Sequence, residues 1–282
     1  MIANSALYAR RRIANYAFIT LSLGAAIFGL IWLSFILGGL LVDGFSALSF
    51  KLFTLPTPPP GSEGGLSNAI FGSVVMSLCA VVVGTPIGLF AGTYLAEYAR
   101  HDRLSFVVRF VNDILLSAPS IITGLFIYEI VVAPMHHFSG WAGAASLTVI
   151  VIPVVVRTTE NMLLLVPNGL REAATALGAP QNFVIKAVTW KAAKAGIITG
   201  VLLAVARISG ETAPLLFTAL GNTQWSTNMN APMASLPGVI YTFATGPYED
   251  LHGLAWAGAL LVTATVLTLS IIARLLEKQK RT

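Results

Sequence analysis

The amino-acid sequence predicts an all-α membrane protein, a polytopic bundle of six transmembrane helices with one polar helical loop on the cytoplasmic side. Three observations predict it. Hydrophobic residues make up 56% of the 282 positions and charged residues only 10%, whereas a soluble domain carries about a quarter of its residues as Asp, Glu, Lys or Arg. The apolar residues come in long runs rather than in amphipathic stripes. The lysines and arginines fall almost entirely into alternate connections between those runs.

The first run, Ile13 to Val42, spans 30 residues without a charge, more than the roughly 20 a helix needs to cross the hydrocarbon. It is too long for a signal-peptide core and has no clear small-residue cleavage pattern, so it reads as an uncleaved span behind Arg10, Arg11 and Arg12. Residues 43–67 hold Asp43, Lys51, Glu63 and Pro56-Thr57-Pro58-Pro59-Pro60, a loop by composition. The second span is expected at 68–95, kinked at Pro86. After a polar turn (Arg100, His101, Asp102, Arg103), Arg109 and Asp113 stand four apart and predict a helix lying against the bundle. The third span, 118–132, is short and is expected to use part of that helix. The fourth covers 141–165, the fifth 192–216 and the sixth 252–273. The stretch between the last two is an external loop, with a helical piece expected at 233–245. No internal repeat is evident. The domain reading is therefore a cytoplasmic segment 1–12, a transmembrane domain 13–273 with a cytoplasmic loop at 166–191, and a cytoplasmic tail 274–282.

Six spans put both termini on one side. Positions 10–12, 274, 278, 280 and 281 share that side with 100, 103, 109, 171, 186, 191 and 194, fourteen basic residues in all, against Lys51 opposite. That asymmetry assigns both termini to the cytoplasm of a multi-pass plasma-membrane protein, the inner membrane in a Gram-negative cell. The net charge of +5 is thus a topology signal rather than a nucleic-acid footprint. Cys79 is the only cysteine, so no intrachain disulfide forms, and the four histidines show no metal-ligand spacing. No HExxH and no GxxxxGK[ST] occurs, which argues against an intramembrane metalloprotease and against a nucleotide cradle in this chain.

Two features carry candidate function. In the cytoplasmic loop, Arg171 to Pro180 reads REAATALGAP, a stretch of helix formers closed by Gly178 and Pro180, with Asn168 as the expected cap. Within the spans, Arg157 is followed three residues on by Glu160, and Arg207 four residues on by Glu211, each acid on the face of its base. An arginine left in hydrocarbon costs at least about 2.5 kcal/mol, so both should face the bundle or an aqueous path. A guanidinium fork suits a tetrahedral oxyanion, and a neighbouring carboxylate keeps it from holding the anion permanently. Two readings stand: an anion pathway, or ion pairs that lock spans together.

Glu172-Ala173-Ala174, Gly178, Val188 and Trp190 resemble the EAA loop of bacterial importer permeases of the ATP-binding-cassette (ABC) class. LREAATALGAP, GIITGVLLAVARISGETAPLLFTA and LLSAPSIITGLF resemble the phosphate-importer branch, the PstA-type permeases, over about residues 66–273. Trp190-Lys191 departs from the usual Leu-Pro of that loop. The resemblance implies a type I ABC importer permease fold with 166–191 as the coupling loop. Glu172, Ala173, Ala174 and Gly178 would couple to an ATPase, and Arg157, Glu160, Arg207 and Glu211 would line the substrate pathway. It also implies a PstC-type second permease, a homodimeric PstB-type ATPase and a PstS-type phosphate-binding protein. This chain would carry no cofactor and no catalytic activity, with ATP and Mg in the partner ATPase. The same scaffold importing molybdate or sulfate is the alternative; a secondary phosphate carrier working without ATP is a further one.

Overall fold

A computed structural model describes residues 5–99 and 102–278. Arg100, Lys280 and Arg281 of the basic census, and His101 of the polar turn, lie outside the described residues. Among the described residues every regular element is helical: α1 (Ser5–Ser46), α2 (Lys51–Thr54), α3 (Ser67–Thr93), α4 (Arg103–Ser117), α5 (Ser120–Ile127), α6 (Ala133–Met135), α7 (Gly140–Leu164), α8 (Asn168–Ala176), α9 (Gln181–Phe183), α10 (Trp190–Ile208), α11 (Ala213–Leu216), α12 (Leu236–Thr245) and α13 (Glu249–Lys278). π-Helical turns extend α3 through Tyr94–Tyr98, join α5 to α6 through Tyr128–Val132, and join α9 to α10 through Val184–Thr189. Among the described residues, five continuous helices are long and apolar enough to cross a bilayer, and the bent pair Arg103–Ser117 and Ser120–Met135, taken as one span, brings the number to six.

Two boundaries differ from the sequence expectation, at the fifth span and at α8. The third span, short as expected, reaches crossing length only together with α4, and the chain bends by 107° between the two. Ala118 is extended at ψ 134, the conformation a residue before proline favours, and Pro119 has no amide to continue the helix. The fifth span begins at Gln181 instead of Ala192 and ends at Ile208 instead of Leu216. Pro180 starts it, and Gly210 and Pro214 stop it, leaving α11 as a separate turn. The cap of α8 is also different. Pro167 occupies the flanking position, and Asn168 is the first helical residue, its side-chain oxygen accepting from Arg171 Nη1.

Helix α7 is the axis of the bundle, packed between α3 and α10 by small residues. Gly84, Gly88 and Gly92 of α3 lie against Val151, Val155 and Thr159; a Cβ on Gly88 would come within 2.6 Å of that of Val155. On its other side, Gly196 and Gly200 of α10 lie against Met162 and Thr158. Lipid tails are as apolar as leucine, so membrane helices associate through close backbone approach of this kind. Met76, Ala80, Leu147, Val151, Val155, Ala204 and Ile208 fill the resulting core. A second cluster (Leu52, Leu66, Ala69, Leu236, Phe243, Leu251, Ala257) fixes α12 against α13, realising the helical piece expected near 233–245. Beside it, Asn68 ties two loops together: its amide nitrogen donates to Thr57 Oγ1 and to the carbonyls of Asn222 and Thr223. Helix α1 touches the body along α13, where Gly44 meets Leu260, and is otherwise almost uncovered.

Candidate functional site

The polar loop forms as a short helix. No residue of α8 is buried, so Glu172 and Ala173 are open to a partner surface, and Leu177 just beyond is 90% exposed. Gly178 ends the helix at φ +81, its amide donating to the Thr175 carbonyl and that of Ala179 to the Ala174 carbonyl. A Cβ there would meet nothing within 4 Å. Glycine is thus required by backbone conformation and not by space.

Arg171, one residue before Glu172, is held differently. Its Nη2 lies 2.7 Å from Glu97 Oε1, and both Glu97 oxygens also accept from Nε. Nη1 donates to the Val166 carbonyl and to Asn168, and Nη2 to the Leu163 carbonyl. The two side chains are only 14% and 6% exposed. Glu97 lies in the π-helical turn ending the second span, 74 residues from Arg171, and no reading of local spacing signals the pair.

The charges of the spans do not pair as their spacing suggested. Glu160 is taken by Arg109 of α4 at 2.7 Å, and Arg157 faces Asp113 of α4 at 3.8 Å. The i,i+4 pair on α4 and the i,i+3 pair on α7 have exchanged partners, because the two helices pack together and the cross-helix geometry is shorter. Arg109 also donates to Ser105 and to the Leu95 carbonyl. Arg207 and Glu211 do face each other, at 3.8 Å, although Glu211 lies beyond the end of α10. At 3.8 Å the ion pairs of Arg157 and Arg207 exceed hydrogen-bonding distance. Their side chains are 47% and 45% exposed on the isolated chain.

The glycine contacts fix the relative heights of these arginines. Gly196 lies level with Met162 and Gly200 with Thr158, so α7 and α10 run antiparallel and Arg157 is level with position 201. Arg207 is six residues further along, about 9 Å towards the opposite face of the membrane. Two half-open guanidinium groups are thus staggered along the bundle, each with a carboxylate near but not hydrogen-bonded.

The described residues thus form a helical bundle of up to six spans with a short exposed helix between the fourth and the fifth. The sequence profile of the family described as binding-protein-dependent transport system inner membrane component matches residues 84–282, and the chain belongs to this family. It is 58% identical over 270 residues to the phosphate transport system permease protein PstA of Pasteurella multocida (strain Pm70), covering 96% of each chain. It is 57% identical over 271 residues to the protein of the same name from Haemophilus influenzae, again with 96% of each covered. Among solved structures, a chain of a bacterial alginate ABC transporter, in complex with its alginate-bound periplasmic protein, superposes with a TM-score of 0.65 at 14% identity, with 94% of each chain covered. The fold is that of a type I ABC importer permease.

Proposed function

We propose that this chain is the permease subunit of an ATP-driven phosphate importer, forming half of the transmembrane pathway. The observation that carries the reading is the 58% identity, over 96% of both chains, to a relative named as a phosphate transport permease. The two staggered, half-exposed arginines supply a physical rationale. A phosphate anion entering beside Arg207 exchanges its hydration for a planar, permanently charged fork, then passes about 9 Å to Arg157. Glu211 and Asp113 stand close enough to reclaim each arginine after the anion leaves, so neither step becomes a trap. Glu160, bound to Arg109, is better placed to hold the wall of the pathway than to meet the anion.

On this reading both termini are cytoplasmic and α8 is the coupling helix, offering Glu172, Ala173, Ala174 and the turn at Gly178 to a partner ATPase that binds ATP and Mg. A second, PstC-type permease completes the pathway, a PstB-type ATPase dimer supplies the energy, and a PstS-type protein delivers phosphate from outside. No covalent step occurs in this chain.

The test is reconstitution of the chain with its co-purifying subunits in liposomes. ATP hydrolysis and uptake should rise with phosphate-loaded binding protein and stay basal with sulfate or molybdate. Stimulation by sulfate instead of phosphate would reassign the cargo, and uptake by the chain without ATPase would replace the mechanism by that of a secondary carrier.

A further inference from the structure

We propose that Arg171 and Glu97 form the joint through which movement of the coupling helix reaches the second and fourth spans. The proposal rests on the importer reading above and adds to it a pair of positioning residues that do not themselves touch the ATPase or the anion.

The argument starts from donors. A guanidinium has five N–H groups, and each nitrogen of Arg171 has partners: Nε and Nη2 on the Glu97 carboxylate, Nη2 also on the Leu163 carbonyl, Nη1 on the Val166 carbonyl and Asn168. Leu163 lies in the last turn of α7 and Val166 two residues beyond its end, where the carbonyl oxygens at a helix C-terminus favour a cation. One side chain of the coupling helix therefore closes the end of the fourth span and grips the end of the second.

The grip on the second span is reinforced. The turn that carries Glu97 is π-helical, Tyr94–Tyr98, and its Leu95 carbonyl accepts from Arg109, which is itself bound to Glu160 of α7. Tyr98 at its end donates to Asn182, beyond the coupling helix. The turn is thus fastened to both sides of the coupling loop, to α4 and to α7. A displacement of α8 has no slack to absorb it before both spans are pulled. A lysine at 171 would keep the charge but would present three donors from a single atom, which cannot span a carboxylate and two carbonyls in the same plane.

Arg171→Lys and Glu97→Gln test this in complexes reconstituted with wild-type partners. The readouts are phosphate uptake per ATP hydrolysed and stimulation of hydrolysis by phosphate-loaded binding protein, both normalised to recovered complex. Each variant should lose about tenfold in uptake per ATP while basal hydrolysis continues, a coupling loss of about 1.4 kcal/mol. A merely structural pair would lower the yield of complex and leave the ratio unchanged; that result would overturn the joint. Where a variant yields too little complex, Glu97→Asp, which keeps the charge and shortens its reach, carries the same expectation, and normal coupling in it overturns the proposal equally. Wild type measured alongside separates the two levels. Absence of phosphate stimulation there counts against the importer reading, whereas stimulated wild type with fully coupled variants counts against the joint alone.

Discussion

The arginines of this chain divide into two sets that do opposite things with the same chemistry. Arg109 and Arg171, on the side of the bundle that carries the polar loop, are satisfied: each binds a nearly buried glutamate at 2.7 Å and donates to backbone carbonyl oxygen as well. Arg157 and Arg207, within the spans, stand 3.8 Å from their carboxylates and are about half exposed. A guanidinium whose three nitrogens are all engaged holds helices together and has little to offer a passing anion. One that is only loosely paired retains that capacity at the cost of contributing less to the fold. Sequence spacing makes Arg109, Arg157 and Arg207 look alike, each with an acid three or four residues on. Packing separates them.

The largest effect that sharpens this contrast is expected from the first set. Arg109→Gln leaves the Glu160 carboxylate unpaired inside the protein, a change that typically costs about 3–5 kcal/mol. Yield and thermal stability of the detergent-solubilised chain should fall steeply, and the doubly neutral Arg109→Gln/Glu160→Gln variant should recover much of the loss. Next comes the second set. Arg207→Gln should reduce phosphate uptake by roughly a hundredfold, the scale of losing one or two charge-assisted hydrogen bonds, with assembly and basal ATP hydrolysis intact. Normal uptake by this variant at normal expression would break the comparison. A smaller effect is expected at Gly178, where valine must adopt a left-handed conformation at about 1–2 kcal/mol. There, insertion should survive and uptake per ATP should fall, while Gly178→Asn, which tolerates that conformation better, should fall less.

The smallest effect belongs to a pair that resembles neither set. Glu63 lies in the exposed loop before α3 and Lys51 at the start of α2, and the hydrogen bond from Lys51, with its positive charge, lowers the Glu63 carboxyl pKa below the usual range. A group depressed on folding stabilises the folded state above its unfolded pKa and loses that contribution as the pH falls through the folded value. Lys51→Ala should therefore move the Glu63 titration, followed by carbon-detected NMR, up to the ordinary carboxylate range with little change in stability at neutral pH.

What the sequence made legible was whatever depends on runs and on single residues. The spans follow from uncharged stretches, and the end of α8 from Gly178. What it hid depends on which helix lies beside which. Glu97 sits at the tail of an apolar run and gives no sign of a partner in the loop after α7. Arg109 with Asp113 and Arg157 with Glu160 are well spaced within their own helices, and only the packing of α4 on α7 re-pairs them. The glycines at 84, 88 and 92 did carry a readable signal, a four-residue repeat of small side chains, which marks a close helix contact without saying which helix fills it.

That repeat has a mechanical consequence. With α7 seated on glycines of α3 along one side and of α10 along the other, sliding any of the three by a residue would drive a valine, threonine or methionine side chain into bare backbone. The trio is keyed like a shaft in its slot. Any opening and closing of a passage must therefore leave it whole, swinging it as one piece against whatever stands across the membrane from it.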